Sequence, residues 1–431
     1  MTVAMIMLLM FLALLALGTP IAVALGLTGA VTILIEDLGI SIMAVQLYNG
    51  VAKYPLLALP VFLLAGMLFE RAGVAERLLT FASAIVGPRR GGLALVAVLV
   101  CLLLGGMSGS GPADAAAVAM VMVPAMARQG YPRAFSASLI AAGSSTAIII
   151  PPSIAFIVYA VLVPGASVPA LFLGGIVPGL LAGVALMIPA FLLARRQGFG
   201  AGDAASERPA FWRSLREASW GLLAPLIILG GLRTGAFTPT EVAVVAAAYG
   251  LFVGTVIYRT LGVRDVYCVL VESAEISAVV MIVVALATLF AYAGTTLGAF
   301  DALAGALVDA LESEVLLLLV IMAMLLLAGM VMDAISIYLI FLPILTPMAE
   351  AFGWDLVWLG IVITMNLAIG QFTPPIAVNL MVTTRVAGIS IESTTGWVIW
   401  MVLSMLAALL AVVFVPDLAL WLPRTAGYDV G

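Results

Sequence analysis

The stretch GMSGSGPADAAAVAMVMVPAMARQGYPRAFSASLIAAGSSTAIIIPP, residues 106–152, recurs 223 positions later as GMVMDAISIYLIFLPILTPMAEAFGWDLVWLGIVITMNLAIGQFTPP, residues 329–375, with no gap. Gly106-Met107 matches Gly329-Met330, Pro124 matches Pro347, Gly130 matches Gly353, and Pro151-Pro152 matches Pro374-Pro375. Ile140/Ile363 completes the identities, and Tyr131 stands in register with Trp354. Only seven of the 47 positions are identical, but six of the seven are Gly, Met or Pro at the breaks of apolar runs. Duplicated hydrophobic halves with matched Gly/Pro interruptions mark a secondary transporter, and the interruptions point to its binding site.

The composition around this repeat excludes a soluble protein. The chain of 431 residues is 65% hydrophobic and 9% charged, with mean hydropathy +1.29, whereas a globular surface needs about a quarter charged residues. Long apolar runs between short Arg-bearing loops predict many membrane-spanning helices. The longest polar segment is about residues 195–217. There is no His, so no His-based metal site or proton relay exists. Cys101 and Cys268 lie in or beside apolar runs of different halves and read as small buried hydrophobes. The apolar start has no Lys or Arg before it, so it is expected to stay as a first helix rather than to be a cleaved signal.

Apolar runs Val3–Leu17 and Ile21–Ile35 flank Gly18-Thr19-Pro20, and a mixed connector covers 38–55. A hairpin is predicted over about 93–127 and a broken span over about 134–163. The second half repeats the order: two runs flank Thr238-Pro239, a hairpin covers about 315–350, and a broken span about 357–384. Each half then has about five spans plus one re-entrant hairpin. The predicted fold is an all-α polytopic membrane protein of two inverted-topology repeats, residues 1–194 and 218–431, joined by a cytoplasmic linker at 195–217. Five is odd, so the second copy must be upside down. Loop charge tests this independently. With 71–92, 128–133, 195–217, 258–265 and 385 inside, 14 of the 17 basic residues are cytoplasmic, and only Lys53, Arg233 and Arg424 are outside. The positive-inside rule therefore agrees with inversion.

Non-helical backbone at membrane depth needs a protein or water-filled surrounding. Ser108, Gly109, Ser110 and Gly111 read as the first hairpin tip, and Gly143, Ser144, Ser145 and Thr146 as an unwound turn in the following span. Free carbonyls and hydroxyls at half-helix ends suit Na⁺. A first Na⁺ site is predicted from Ser108, Gly109, Ser110, Gly143, Ser144 and Ser145. A second is predicted from Gly329, Asp333, Asn366, Gly370 and Thr373, with Gln371 in the same set. Half-helix N-termini also attract carboxylates. Ser110, Thr146, Ser153, Asn379 and Arg385 are the substrate candidates. For each single Ser or Gly, plain helix packing is the competing reading. An ionisable group at depth is functional by default. Asp333 either ligates Na⁺ or orients the tip, and Asp114 has the same two readings. Lys53 and Arg385 either meet an anion or snorkel to the interface. The two Pro-Pro pairs end half-helices and free carbonyls upstream. No catalytic dyad or metal cluster is visible, so an intramembrane enzyme has no support; Na⁺ is the one ion expected, with no organic cofactor.

Tyr54-Pro55-Leu56-Leu57-Ala58-Leu59-Pro60, Ser108-Gly109-Ser110, Gly130-Tyr131, Ile150-Pro151-Pro152-Ser153, Phe237-Thr238-Pro239-Thr240-Glu241 and Thr373-Pro374-Pro375 resemble the large membrane subunit of tripartite ATP-independent periplasmic (TRAP) transporters. The resemblance runs from about residue 14 to 415. It implies a Na⁺-driven importer of small organic acids in the bacterial cytoplasmic (inner) membrane, working as an elevator. It also implies two partners, a small four-helix membrane subunit and a periplasmic substrate-binding protein. The chain looks like the unfused form, with the small subunit as a separate chain. The alternative is a Na⁺/dicarboxylate symporter of the same superfamily that acts without a binding protein; the Phe-Thr-Pro-Thr-Glu segment argues against it.

Overall fold

The computed structural model describes residues 3–87, 89–200, 209–311 and 313–430. Part of the 195–217 linker, residues 201–208, and Glu312 lie outside them. The described chain is helical, and seven helices are long and apolar enough to cross a membrane: Tyr54–Arg71, Val168–Arg196, Phe211–Arg233, Pro239–Ile257, Val263–Thr296, Ala334–Phe352 and Glu392–Phe414. The chain is a multi-pass membrane protein.

Val74–Val86, Gly92–Ser108, Gly111–Arg128, Arg133–Ser145 and Ile154–Leu162 are followed, one half later, by Ala299–Ala310, Glu314–Gly329, Ala334–Phe352, Leu356–Gly370 and Val378–Ala387. Local chemistry sets several boundaries. Thr238 and Glu241 form a reciprocal capping box at the start of Pro239–Phe252, which satisfies two otherwise unpaired N–H groups. The first hairpin turns at Gly109, whose φ of +63° favours glycine. Both broken spans are interrupted at a cis Pro-Pro pair, Pro151-Pro152 and Pro374-Pro375.

The mixed connector 38–55 holds a helix, Ile40–Val51, with a short 3-10 turn over Tyr54–Leu57. One expectation changes: residues Gly143–Ser145 are not unwound. The helix runs through Ser145, tightens into a 3-10 turn at Thr146–Ile148, and opens only at 149–153. Ser145 Oγ donates to the Ala142 carbonyl (2.8 Å) and Thr146 Oγ1 to the Gly143 carbonyl (2.6 Å). These hydroxyls back-bond within the helix instead of ending it; the prolines end it.

The strongest packing contacts form two groups of helices, which also touch each other where Ala58–Arg71 meets Gly92–Ser108 and Val263–Thr296 meets Ala334–Phe352. Val263–Thr296 packs on Ile21–Ile35, Ile40–Val51 and Ala58–Arg71, while Pro239–Phe252 packs on Ala58–Arg71 and Phe211–Arg233. These helices form an outer frame. The hairpins and broken spans form the other group, joined crosswise. Ile154–Leu162 packs on Ala334–Phe352 and Leu356–Gly370, and Val378–Ala387 packs on Gly111–Arg128 and Arg133–Ser145. The second part of each broken span is thus held by the hairpin arm of the other half.

Candidate substrate and ion site at the hairpin tips

The crosswise packing brings both hairpin turns to one place. A cavity of about 150 Å³ is bordered by Gly109, Ser110, Gly111 and Pro112 of the first turn and by Asp333, Ala334 and Ile335 of the second. Gln371 closes it from the second broken span and Ile148, Ile154 and Ala155 from the first, while Leu63, Ile276 and Val280 face it from the frame. Two pairs of helix ends, 223 positions apart in the sequence, meet there.

On the first side, Gly109 lies so close to the opened segment that a Cβ would meet the Pro152 carbonyl oxygen at 2.4 Å. The Ser110 amide donates to Ser108 Oγ (3.3 Å), and Ser108 also hydrogen-bonds Asp114. Asp114 is 1% exposed, and its Oδ2 has no partner. Gly109 therefore meets Pro152 and Ile154, and Ser110 borders the cavity with Ile148 and Ile154. Gly143 and Ser144 lie deeper in the bundle: a Cβ on Gly143 would touch Cys101 Sγ at 2.9 Å, and Ser144 Oγ is 3.5 Å from that sulfur. Ser145 Oγ faces Met405 (3.9 Å).

On the second side, Gly329 and Gly370 are in backbone contact. The Ala377 amide donates to the Met330 carbonyl (2.9 Å), tying the turn to the segment after the prolines. Asp333 accepts from the Ile335 and Ser336 amides (3.0 and 3.2 Å) and from the Ser336 hydroxyl. It is the N-cap of Ala334–Phe352, so it orients the turn, one of the two roles expected of it. Asn366 Nδ2 donates to the Met322 carbonyl (2.8 Å), below the turn. Thr373 Oγ1 donates to the Ile369 carbonyl (2.6 Å).

The substrate candidates separate. Ser110 borders the cavity. Asn379 is fully buried beside Gly111, where a Cβ would meet Gln371 Oε1 at 2.7 Å and Asn379 Oδ1 at 3.2 Å. Thr146 is bonded to Gly143, and Ser153 Oγ donates to the Ile148 carbonyl while capping Phe156. Arg385 is exposed in the last turn of Val378–Ala387, away from the Asn379 end. The frame residues Leu63, Ile276 and Val280 carried no sequence signal toward this site.

Four buried acceptors in this bundle have no partner: Asp114 Oδ2, Asn366 Oδ1, Gln371 Oε1 and Asn379 Oδ1. Such atoms call for a donor or a cation. All are oxygen, the ligand type that hard cations take. Gln371 Oε1 and Asn379 Oδ1 converge beside the first turn of Gly111–Arg128, whose Gly111 and Ala113 N–H groups and dipole favour an anion. The same place can thus present oxygen acceptors to a cation or a hydroxyl and backbone donors to a carboxylate.

Residues 8–418 match the family described as the DctM component of tripartite ATP-independent periplasmic transporters. The chain belongs to this family. It is 41% identical over 405 residues to the C4-dicarboxylate TRAP transporter large permease protein DctM of Pseudomonas aeruginosa, covering 94% of each chain. It is 39% identical over 404 residues to the 2,3-diketo-L-gulonate TRAP transporter large permease protein YiaN of Escherichia coli, covering 94% of this chain and 95% of that one. In fold it is similar to the solved YdaH transporter of Alcanivorax borkumensis, with TM-score 0.61 at 16% identity, covering 90% of this chain and 89% of that one. As a member of a permease family the chain is a transport protein.

Proposed function

We propose that the chain is the large transport subunit of a Na⁺-coupled, binding-protein-dependent importer of small organic acids. The observation that carries this reading is the single cavity shared by both hairpin turns and both broken spans. Its partners would be a small four-helix membrane subunit and a periplasmic binding protein, in the bacterial cytoplasmic membrane. The relatives' named cargoes, a C4-dicarboxylate and a diketo-gulonate, support a carboxylate as substrate. Gln371, Asn379, Ser110 and the N-terminus of Gly111–Arg128 would hold it. Na⁺ would take the unpaired oxygens around the two turns, with Asp114 beside Ser108 and Asn366 beneath Gly329 as the buried acceptors.

The two halves would be inverted repeats, and the crosswise bundle would move as one body against the frame. A gate that opened between the halves would separate Ile154–Leu162 from Ala334–Phe352, and Val378–Ala387 from Gly111–Arg128. Movement of the whole bundle preserves those contacts. Val74–Val86 and Ala299–Ala310 would then be the arms that join bundle to frame.

The test is reconstitution of the chain with its small subunit in proteoliposomes, with a labelled C4-dicarboxylate and the binding protein supplied outside. Uptake that needs both an inward Na⁺ gradient and the binding protein is expected. Na⁺-driven uptake without any binding protein would favour the stand-alone symporter reading. Uptake indifferent to Na⁺ would sink the coupling.

A further inference from the structure

Frame helix Val263–Thr296 carries a pattern that the tip site alone does not use. Val269, Glu272, Ile276, Val280, Ala287, Ala291 and Thr295 are spaced three, four or seven residues apart, so they form one stripe of the helix. This stripe borders three cavities in turn. Ile276 and Val280 border the tip cavity. Val269 and Glu272 border one of about 540 Å³, together with Glu70, Arg71 and Glu76. Ala287, Thr288, Ala291 and Thr295 border one of about 290 Å³, together with Lys53 and Tyr338. At 1.5 Å rise per residue, Glu272 and Thr288 each lie about 12 Å along the axis from Val280. Val284, 1% exposed, fills the stripe between the tip cavity and the Lys53 cavity.

The two end cavities differ in sign. Three carboxylates, Glu70, Glu76 and Glu272, line the first against one guanidinium, Arg71, which is paired with Glu272 at 3.1 Å. Lys53 is the one charged group lining the other. Its ammonium donates to the Val161 carbonyl at 2.8 Å, and an ammonium has three donors. Three of the four lining hydroxyls are committed. Thr288 Oγ1 donates to the Gln46 carbonyl (3.0 Å), Thr346 Oγ1 to the Leu342 carbonyl (2.8 Å), and Tyr338 is bonded to Thr364 (2.6 Å). Lys53 and the Thr295 hydroxyl are therefore the groups there with donors left for an anion, and of the two only Lys53 is charged.

We propose that the Lys53 cavity is a staging site for the carboxylate of a small organic acid, one cavity short of the hairpin tips along the Val263–Thr296 stripe. The cargo assignment rests on the acid-transport reading; the anion attraction does not. A lysine walled by apolar and hydroxyl groups, with no opposing carboxylate, concentrates anions by focusing its field. The competing role is structural: Lys53 caps the C-terminal end of Ile154–Leu162, which the helix dipole alone would favour.

The experiment separates these roles. Cys101 and Cys268 are replaced by Ala, and the exposed Thr295 is replaced by Cys. The protein is placed in nanodiscs of zwitterionic lipid. Modification rates are measured with sulfonatoethyl (anionic) and trimethylammonioethyl (cationic) methanethiosulfonate. Lys53→Gln, which can still donate to Val161, should lower the anion-to-cation rate ratio on the order of tenfold, and Lys53→Arg should restore it. Succinate should slow the anionic reagent with Lys53 present and not in Lys53→Gln. A ratio unchanged by Lys53→Gln overturns the proposal. So does protection by added phosphatidylglycerol and not by succinate, which would assign the cavity to a lipid headgroup. Labelling needs no transport, so a chain that moves no acid would still return the charge effect. A chain that moves acids with an unchanged ratio would sink the staging site alone.

Discussion

Gly329 and Gly370 touch backbone to backbone: a Cβ on Gly370 would stand 2.6 Å from both the Cα and the carbonyl carbon of Gly329. The first half makes the corresponding contact with a little more room, a Cβ on Gly105 standing 2.8 Å from the Cα of Ala147. In both halves the first hairpin arm is seated directly on the first part of the broken span. This close seating is what fixes the two turns in position.

Gly370→Ala should therefore be costly, because the atoms it meets are backbone and cannot rotate away. Overpacking of this kind costs about 1–3 kcal/mol. Gly396→Ala, in a helix with nothing within 4 Å, should be neutral or stabilising by up to about 1 kcal/mol. Thermal unfolding in detergent compares them, and equal melting temperatures would contradict the seating.

Asp333 has both a capping and a charge role to separate. Asp333→Ala should lose about 0.5–2 kcal/mol of stability with its cap. Asp333→Asn should keep most of that stability, since Asn also caps. If the carboxylate helps to hold Na⁺, both variants, and Ser110→Ala, should raise the Na⁺ concentration for half-maximal uptake. An unshifted Na⁺ curve in all three would confine Asp333 and Ser110 to architecture.

Gln371 and Asn379 should act on the acid more than on the ion. A hydrogen bond to a charged group contributes about 1.5–3 kcal/mol, so Gln371→Leu or Asn379→Leu should raise the KM for the transported acid by about tenfold or more. Uptake kinetics at saturating Na⁺ provide the measurement. An unchanged KM in both would move the substrate elsewhere.

Orientation follows from the basic loops. A single cysteine at Gln197, just after Val168–Arg196, should resist an impermeant thiol reagent in intact spheroplasts, and one at Asp309 should react. The reverse pattern would invert the topology.

Movement of the bundle as one body can be blocked at a defined contact. Phe62 of the frame meets Phe172 edge to face, ring centroids 6.1 Å apart, and Phe172 lies on Val168–Arg196, which packs on Gly92–Ser108 and Leu356–Gly370 of the bundle. Cysteines at both positions, bridged by a short bis-thiol reagent, should stop uptake while Na⁺ binding persists. Normal uptake by the bridged protein would exclude the elevator.

Sequence alone determined the places where helices stop. Pro151-Pro152, Pro374-Pro375, Gly109 and Thr238-Pro239 act locally, through a missing N–H, a positive φ or a cap, so their effect is legible wherever they stand. Asp333 was legible for the same reason, since its partners Ile335 and Ser336 are its chain neighbours. The unwound turn at Gly143–Thr146 was misread because small and hydroxyl residues are compatible with helix once their hydroxyls bond the preceding turn. Tertiary structure decided what meets at the turns. Gln371 and Asn379 reach Gly111 from the other half of the chain, and Lys53 reaches Val161 across 108 residues. No periodicity records such encounters, because they depend on how whole helices cross. The sequence set the breaks, and the crosswise packing of the two halves put four of them around one cavity.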